Sequence, residues 1–199
     1  MADFIISRSN KGFNFILKRS VSSTLIDELA PFAKFNSVTF EENKSKVIGM
    51  ISNTNEKLKA FAKNDHFSTY VYILSNKTMP DASISYENWE AGNKILGNYF
   101  LESDDIGKFR PLELNYDKLR VSFDKGCYRG QEIVARMKYL GIDRRSFLTF
   151  ITSNEFDASE DIKIVGQKIE IDDKYVFNGI VKKDLIPDIQ NDPQILKII

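Results

Sequence analysis

Lys125-Gly126-Cys127-Tyr128-Arg129-Gly130-Gln131-Glu132-Ile133-Val134-Ala135-Arg136-Met137-Lys138-Tyr139-Leu140-Gly141 is the most informative stretch of this 199-residue chain. Gly126 and Gly130 free the backbone on either side of the cysteine. Gln131 to Tyr139 is a run of good helix formers, with Gly141 placed to cap its C-terminus. Cys127 is thereby expected just ahead of a helix N-terminus with Lys125 and Arg129 beside it, a setting that favours the thiolate over the thiol. Such a thiol is a candidate nucleophile or metal ligand; a lone cysteine serves equally as a small buried hydrophobe. Glu132 and Arg136, four apart, read first as a helix-surface ion pair worth about a few tenths of a kcal/mol.

Downstream of this stretch the pattern changes. Ser146 to Ile151, Ile162 to Val165, Lys168 to Ile171 and Tyr175 to Val181 read as strands divided by polar turns. Upstream, Ser85 to Leu96 reads as a helix that carries the sole tryptophan, Trp89, and stops at Gly97. Asn98 to Ser122 reads as an extended connection. Earlier still, Phe4 to Ser7 and Phe13 to Lys18 flank Ser9-Asn10-Lys11-Gly12 as a hairpin. Thr24 with Asp27 resembles a capping box for a helix that Pro31 should kink or end. Strands are expected at Ser37 to Glu41 and Lys46 to Ile51, a helix near Asn55 to Lys63, and a strand from Phe67 to Leu74. Mixed helices and strands followed by a mostly β tail give an α+β class. The domain boundary falls near Leu140 to Arg145, dividing residues 1–140 from a small β domain at 141–199.

Composition narrows the function. Lys plus Arg and Asp plus Glu are 28 each, so no global charge steers the chain to nucleic acid or to an anionic membrane; direct nucleic-acid binding would need a local basic patch and is not expected. Met1 to Phe15 is interrupted by Asp3, Arg8 and Lys11, which fits neither a secretory signal nor a membrane span and gives a cytoplasmic expectation. One cysteine excludes an internal disulfide, and Cys127 with the single histidine, His66, is too few for a zinc site. An iron–sulfur cluster normally takes about four cysteines, so the chain is not expected to hold one alone.

Lys125 through Glu132 resembles the K-G-C-[FY]-x-G-Q-E signature of the YgfZ family. The likeness extends upstream through Phe109, Pro111, Asn115 and Phe123 and downstream through Val134-Ala135-Arg136 and Gly141. The resemblance implies a folate-binding domain like that of the glycine-cleavage T-protein, followed by a small barrel-like β domain. It implies a role in assembling or repairing iron–sulfur client proteins, including cluster enzymes that modify transfer RNA, with the signature cysteine essential. On that reading Cys127 and Lys125 form the reactive centre. Trp89, Tyr128, Gln131, Glu132 and Arg136 face a tetrahydrofolate or a derivative of it. The flat indole of Trp89 suits stacking on a pterin and equally suits core packing. Against the family pattern, the chain is expected to lack the first part of the folate domain and the last strands of the tail. Lys94-Ile95-Leu96-Gly97 stands where an Ile-Glu-Ala-Gly-like run is usual, without its carboxylate.

Three functions compete at this level. The first is a folate-dependent maintenance factor working through Cys127. The second is an aminomethyltransferase like the T-protein, which would need an aspartate from an N-terminal part not found here. The third is a non-catalytic docking protein with the same fold.

Overall fold

The computed structural model describes residues 3–10, 12–54, 60–74, 83–128, 130–140, 144–153, 156 and 160–199. It is an α+β protein of two compact units. One comprises Met1–Ile48, Val71–Met79 and Phe100–Lys108; the other comprises Gly49–Tyr70, Pro80–Tyr99 and Phe109–Ile199. The change of pattern near Leu140 falls inside the second.

The first unit opens with the expected hairpin. Strands β1 (Ile5–Ser9) and β2 (Gly12–Ile16) pair antiparallel, with Ile6 opposite Phe15 and Arg8 opposite Phe13. Alternation puts Phe4, Ile6, Phe13 and Phe15 on one face, and all four are exposed. Helix α1 (Ser22–Phe35) follows a 3-10 turn, Arg19–Val21. Its N-cap is Val21, not Thr24, and it runs through Pro31 to Phe35. Proline removes one backbone bond, and the helix tolerates that loss where Asp27 and Pro31 are both exposed. Ser37 to Glu41 is not a strand: Asn36 and Val38 donate back to the carbonyls of Phe32 and Ala33, and Ser37 takes φ +53. Val21 and Leu101 are fully buried, and Glu102 gathers Lys18 Nζ at 3.1 Å and the Ser20 hydroxyl.

Strands β3 (Val47–Ser52), β4 (Ala62–Lys63) and β5 (Ser68–Ile73) form a three-stranded sheet in the order β3-β5-β4. The helix expected near Asn55 to Lys63 is overturned at its end, where Ala62 and Lys63 pair with Thr69 and Ser68; residues 55–59 lie outside the described ones.

The second unit contains helix α2 (Tyr86–Ile95), capped by Ser85, whose hydroxyl accepts from the Asn88 N–H at 3.1 Å; Gly97 follows the helix with φ +63. Asn98 to Ser122 is not extended. It holds 3-10 turns at Ser103–Asp105 and Pro111–Leu114 and the short helix α3 (Tyr116–Leu119). Helix α4 (Gln131–Tyr139) coincides with the expected span. Strands β6 (Arg145–Thr152), β7 (Ile162–Ile171), β8 (Lys174–Lys182) and β9 (Ile195–Ile198) form a sheet ordered β7-β8-β6-β9, with helix α5 (Ile186–Gln190) before the last strand. The two strands expected at Ile162 to Val165 and Lys168 to Ile171 are one strand, whose register breaks between Val165 and Ile169 around Gly166 at φ +70.

This sheet is covered on both faces. One carries Phe150, Phe177, Ile162 and Val181 under Phe156, with the rings of Phe150 and Phe177 stacked at 5.2 Å. The other carries Thr149 and Asn178, which reach the end of α2: the Lys94 carbonyl accepts from Gly97 N at 2.9 Å, from Asn178 Nδ2 at 3.0 Å and from the Thr149 hydroxyl. Among the described residues no helix is long and apolar enough to cross a membrane.

Candidate functional site

Helix α4 is anchored by Val134 and Met137, which pack on Leu112 with Val121 and Phe123 against them. The apolar positions are three apart, so one helical stripe faces the 3-10 turn Pro111–Leu114 and the opposite side meets solvent. Gly130, at φ +88, supplies the left-handed residue that turns the chain into the helix. Gln131 then works at once: its Oε1 accepts from the Tyr128 N–H at 3.1 Å, closing the turn that follows the cysteine. Cys127 itself is exposed and in no disulfide. The buried-hydrophobe reading is therefore set aside. Lys125 is also exposed, and its ammonium lies 4.2 Å from the centre of the Tyr128 ring. Arg129 lies outside the described residues.

Glu132 and Arg136 are bonded to each other at 2.6 Å, with side chains 74% and 66% exposed. This is the helix-surface pair that their spacing implies, and solvent keeps its contribution small. The structure thus gathers Lys125, Tyr128, Gln131, Glu132 and Arg136 along one short stretch about Cys127, each with a partner from that same stretch.

Trp89 stands on a different support, since α2 packs chiefly on β7 and β8 whereas α4 packs on the 111–114 turn. Its indole is pressed onto strand β3 at Gly49: a Cβ added there would lie 2.3 Å from Nε1. Gly92 makes the second close approach, where an added Cβ would lie 2.7 Å from Ile51 Cδ1. Glycine inside a strand marks such an approach of a neighbour, and Gly49 carried that signal in the sequence. On its other side Trp89 has Tyr86, ring centres 6.1 Å apart and 32° from parallel; Tyr86 is exposed and donates to Glu90 at 2.6 Å.

Sequence reasoning missed a buried polar chain that begins at the Trp89 carbonyl. Asn93 Nδ2 donates to it at 2.9 Å, Asn98 Nδ2 donates to Asn93 Oδ1 at 2.7 Å, and Arg120 donates to Asn98 Oδ1 at 2.7 Å. The Arg120 guanidinium lies 4.4 Å from the Tyr116 ring centre and 5.5 Å from that of Phe61. Burial pushes its pKa down to about 10, so it stays charged at neutral pH. Lys94 is buried with its ammonium 5.5 Å from the Tyr99 ring centre. Among the described residues no group of three or more His, Cys, Asp or Glu is placed to hold a metal.

An α+β chain with an exposed cysteine held at the entrance of a short motif helix is a thiol-bearing protein of the kind the signature describes. No family model matches it. It is 29% identical over 171 residues to an uncharacterized protein of Haemophilus influenzae, covering 82% of this chain and 58% of that one. It is 26% identical over 242 aligned positions to the tRNA-modifying protein YgfZ of Escherichia coli SMS-3-5, covering 96% and 74%. With the same-named protein of Escherichia coli O17:K52:H18 the identity is 28% over 191 residues, covering 79% and 59%. Likeness to these proteins over most of the chain supports membership of the YgfZ family. The chain spans less than two thirds of the length of the first and third of these relatives.

Proposed function

We propose that this protein supports the assembly or repair of iron–sulfur client proteins, among them cluster enzymes that modify transfer RNA, with Cys127 as its working group. The observation that carries the reading is the exposure of the signature cysteine on a segment closed by Gln131 and anchored through Val134 and Met137. A held but accessible thiol can exchange with a client: its sulfur attacks a client disulfide or persulfide sulfur, one S–S bond forms as the other breaks, and the client thiolate leaves. Lys125 places a positive charge in the same exposed segment as Cys127. The relatives' name, tRNA-modifying protein, supports a client in that chemistry.

A reduced folate fits these residues only in part. Tyr128, Gln131, Glu132 and Arg136 already bond or pair within their own stretch, which argues against their forming a ready-made folate cradle. The half-buried indole of Trp89, with the exposed Tyr86 ring beside it, offers the flat apolar wall that a pterin would need. A tetrahydrofolate bound there would supply one-carbon or redox chemistry. The protein's part would be to hold the ring system against α2, which Gly49 and Gly92 seat closely on β3.

The test is complementation. In cells lacking their own family member, the wild-type chain should restore the activity of a cluster-dependent enzyme and Cys127→Ser should not, because a hydroxyl forms no thiolate at neutral pH. Full restoration by Cys127→Ser would overturn the role of the thiol. Calorimetric titration with tetrahydrofolate addresses the ligand separately, and absence of binding by the wild-type chain removes it from the proposal.

A further inference from the structure

The hairpin of the first unit turns its more apolar face outward. Strand alternation groups Phe4, Ile6, Arg8, Phe13 and Phe15 on that face, and all five are exposed. The opposite face carries Ile5, Ser7, Ser9, Asn14 and Ile16, of which all but Ser7 are half-buried. A half-covered antiparallel sheet ordinarily does the reverse, with apolar residues in and polar ones out. The rings of Phe4 and Phe15 lie 4.8 Å apart and Ile6 is opposite Phe15, so the apolar groups are contiguous across both strands. The unit has little core to hold them: among its described residues only Val21, Phe100, Leu101 and Asp105 are buried. A two-stranded hairpin is marginal by itself. Phe4, Phe13 and Phe15 are 39%, 63% and 37% exposed and Ile6 53%, which at about 200 Å² for each fully exposed side chain is roughly 400 Å² of apolar surface. A second copy of the chain fits this face better than a lipid or a charged partner does. Arg8 is the only charge among the five, and the chain, with 28 cations and 28 carboxylates, has no excess to draw it to an anionic surface. Two such faces can stack as facing sheets do, about 10 Å apart with their side chains interdigitated. Across a two-fold axis perpendicular to the strands at Ile6 and Phe15, Arg8 of one copy comes over the Phe4 end of the other, so the cation meets a ring and no like charge. Stacking removes roughly 800 Å² of apolar surface from the two copies, and Arg8 with the flanking backbone brings the total near about 1,000 Å², where specific interfaces begin.

We propose that the face of the β1–β2 hairpin bearing Phe4, Ile6, Phe13 and Phe15 stacks on the same face of a second copy to form a reversible homodimer. This face lies in the unit that does not contain Cys127, so the association and the thiol reading stand or fall separately. The test is sedimentation velocity on the full chain between about 2 and 200 µM. The wild type should pass from monomer to dimer within that range, as suits an interface at the small end of the specific class. Ile6→Ser/Phe13→Ser should raise the dissociation constant about tenfold or more, because it removes the centre and one flank of the apolar face. Lys34→Ser/Lys174→Ser, which changes exposed positions elsewhere, should associate like wild type. A second measurement keeps the hairpin's aromatic rings in place. In a Cys127→Ser background, Ile6→Cys should be joined to its copy by a short bismaleimide, since a residue beside a two-fold axis meets itself, and Lys174→Cys should not. A wild-type chain that stays monomeric at 200 µM overturns the proposal. An association that keeps its strength in Ile6→Ser/Phe13→Ser, or that cross-links equally through the two cysteines, does so as well. A monomer that floats with phosphatidylcholine–phosphatidylserine vesicles, and loses that property in Ile6→Ser/Phe13→Ser, would assign the face to a lipid surface instead.

Discussion

Gly49→Ala probes the seat of Trp89 with one methyl group. The added Cβ would stand 2.3 Å from indole Nε1 and 2.5 Å from Cε2, so the ring must retreat by about 1 Å before ordinary contact is restored. Overpacking of this kind costs about 1–3 kcal/mol, and replacing a strand glycine by alanine returns about 0.5–1 kcal/mol of it. A net loss near 1–2 kcal/mol is expected, with the melting temperature falling about 2–4 °C for each kcal/mol in a chain of this size. Trp89 is the sole tryptophan, so its emission reports the same contact during urea unfolding. A red shift in the folded state should accompany the lower midpoint. Trp89→Phe removes the atoms that collide, and in the double variant the Gly49→Ala loss should shrink, giving a favourable coupling in the cycle. Unchanged stability and emission in Gly49→Ala, or strictly additive losses in the double variant, would refute the close approach and with it the placement of α2.

Cys127 should react with a thiol reagent in the native protein at a stoichiometry of one per chain, before any unfolding transition; a thiol that appears only in denaturant would contradict its exposure. Cys127→Ser should stay within about 0.5 kcal/mol of wild type in urea, as surface substitutions do. Thr149→Val removes a hydroxyl that donates to the Lys94 carbonyl and accepts from Asn178 while keeping the shape, and should cost about 1–2 kcal/mol by chemical denaturation; a neutral result would mean that the buried cluster adds nothing. Arg120→Lys keeps the charge but loses the planar fork bonded to Asn98 and the overlap with Tyr116, for an expected loss of about 1–2 kcal/mol. An unaltered urea midpoint would show that any cation suffices there.

The parts of this fold that could be read in the sequence are those whose causes are local. Gln131 to Tyr139 is a helix because good helix formers follow a glycine that can take positive φ, and no distant contact is needed to see it. Ser85 and Gly97 bracket α2 for the same kind of reason. Pro31 does not end α1, which runs on to Phe35 with the carbonyl freed at the exposed Asp27 open to solvent. Gly166 and Gln167 look like a turn between two strands, yet Gly166 bends a single strand around Tyr99, whose ring would meet an added Cβ at 2.6 Å. The site divides likewise. Cys127, Gln131 and the Glu132–Arg136 pair were legible as a motif. Arg120, Asn98 and the seat of Trp89 depend on chain segments 22 to 40 residues apart, and neither composition nor periodicity encodes such partners. Gly49 alone left a trace.

The Lys94 carbonyl ties the order of events in folding to the sheet. It belongs to the last turn of α2, where carbonyls lack helical donors, and two of its three donors come from Thr149 and Asn178, 55 and 84 residues farther along. An isolated α2 of ten residues, short for a stable helix in water, would fray at that end until β6 and β8 had paired. The C-terminal half of α2 and the centre of β8 should therefore gain protection from hydrogen exchange together, as one cooperative unit. A fragment ending before β6 would carry Trp89 on a helix without its clamp.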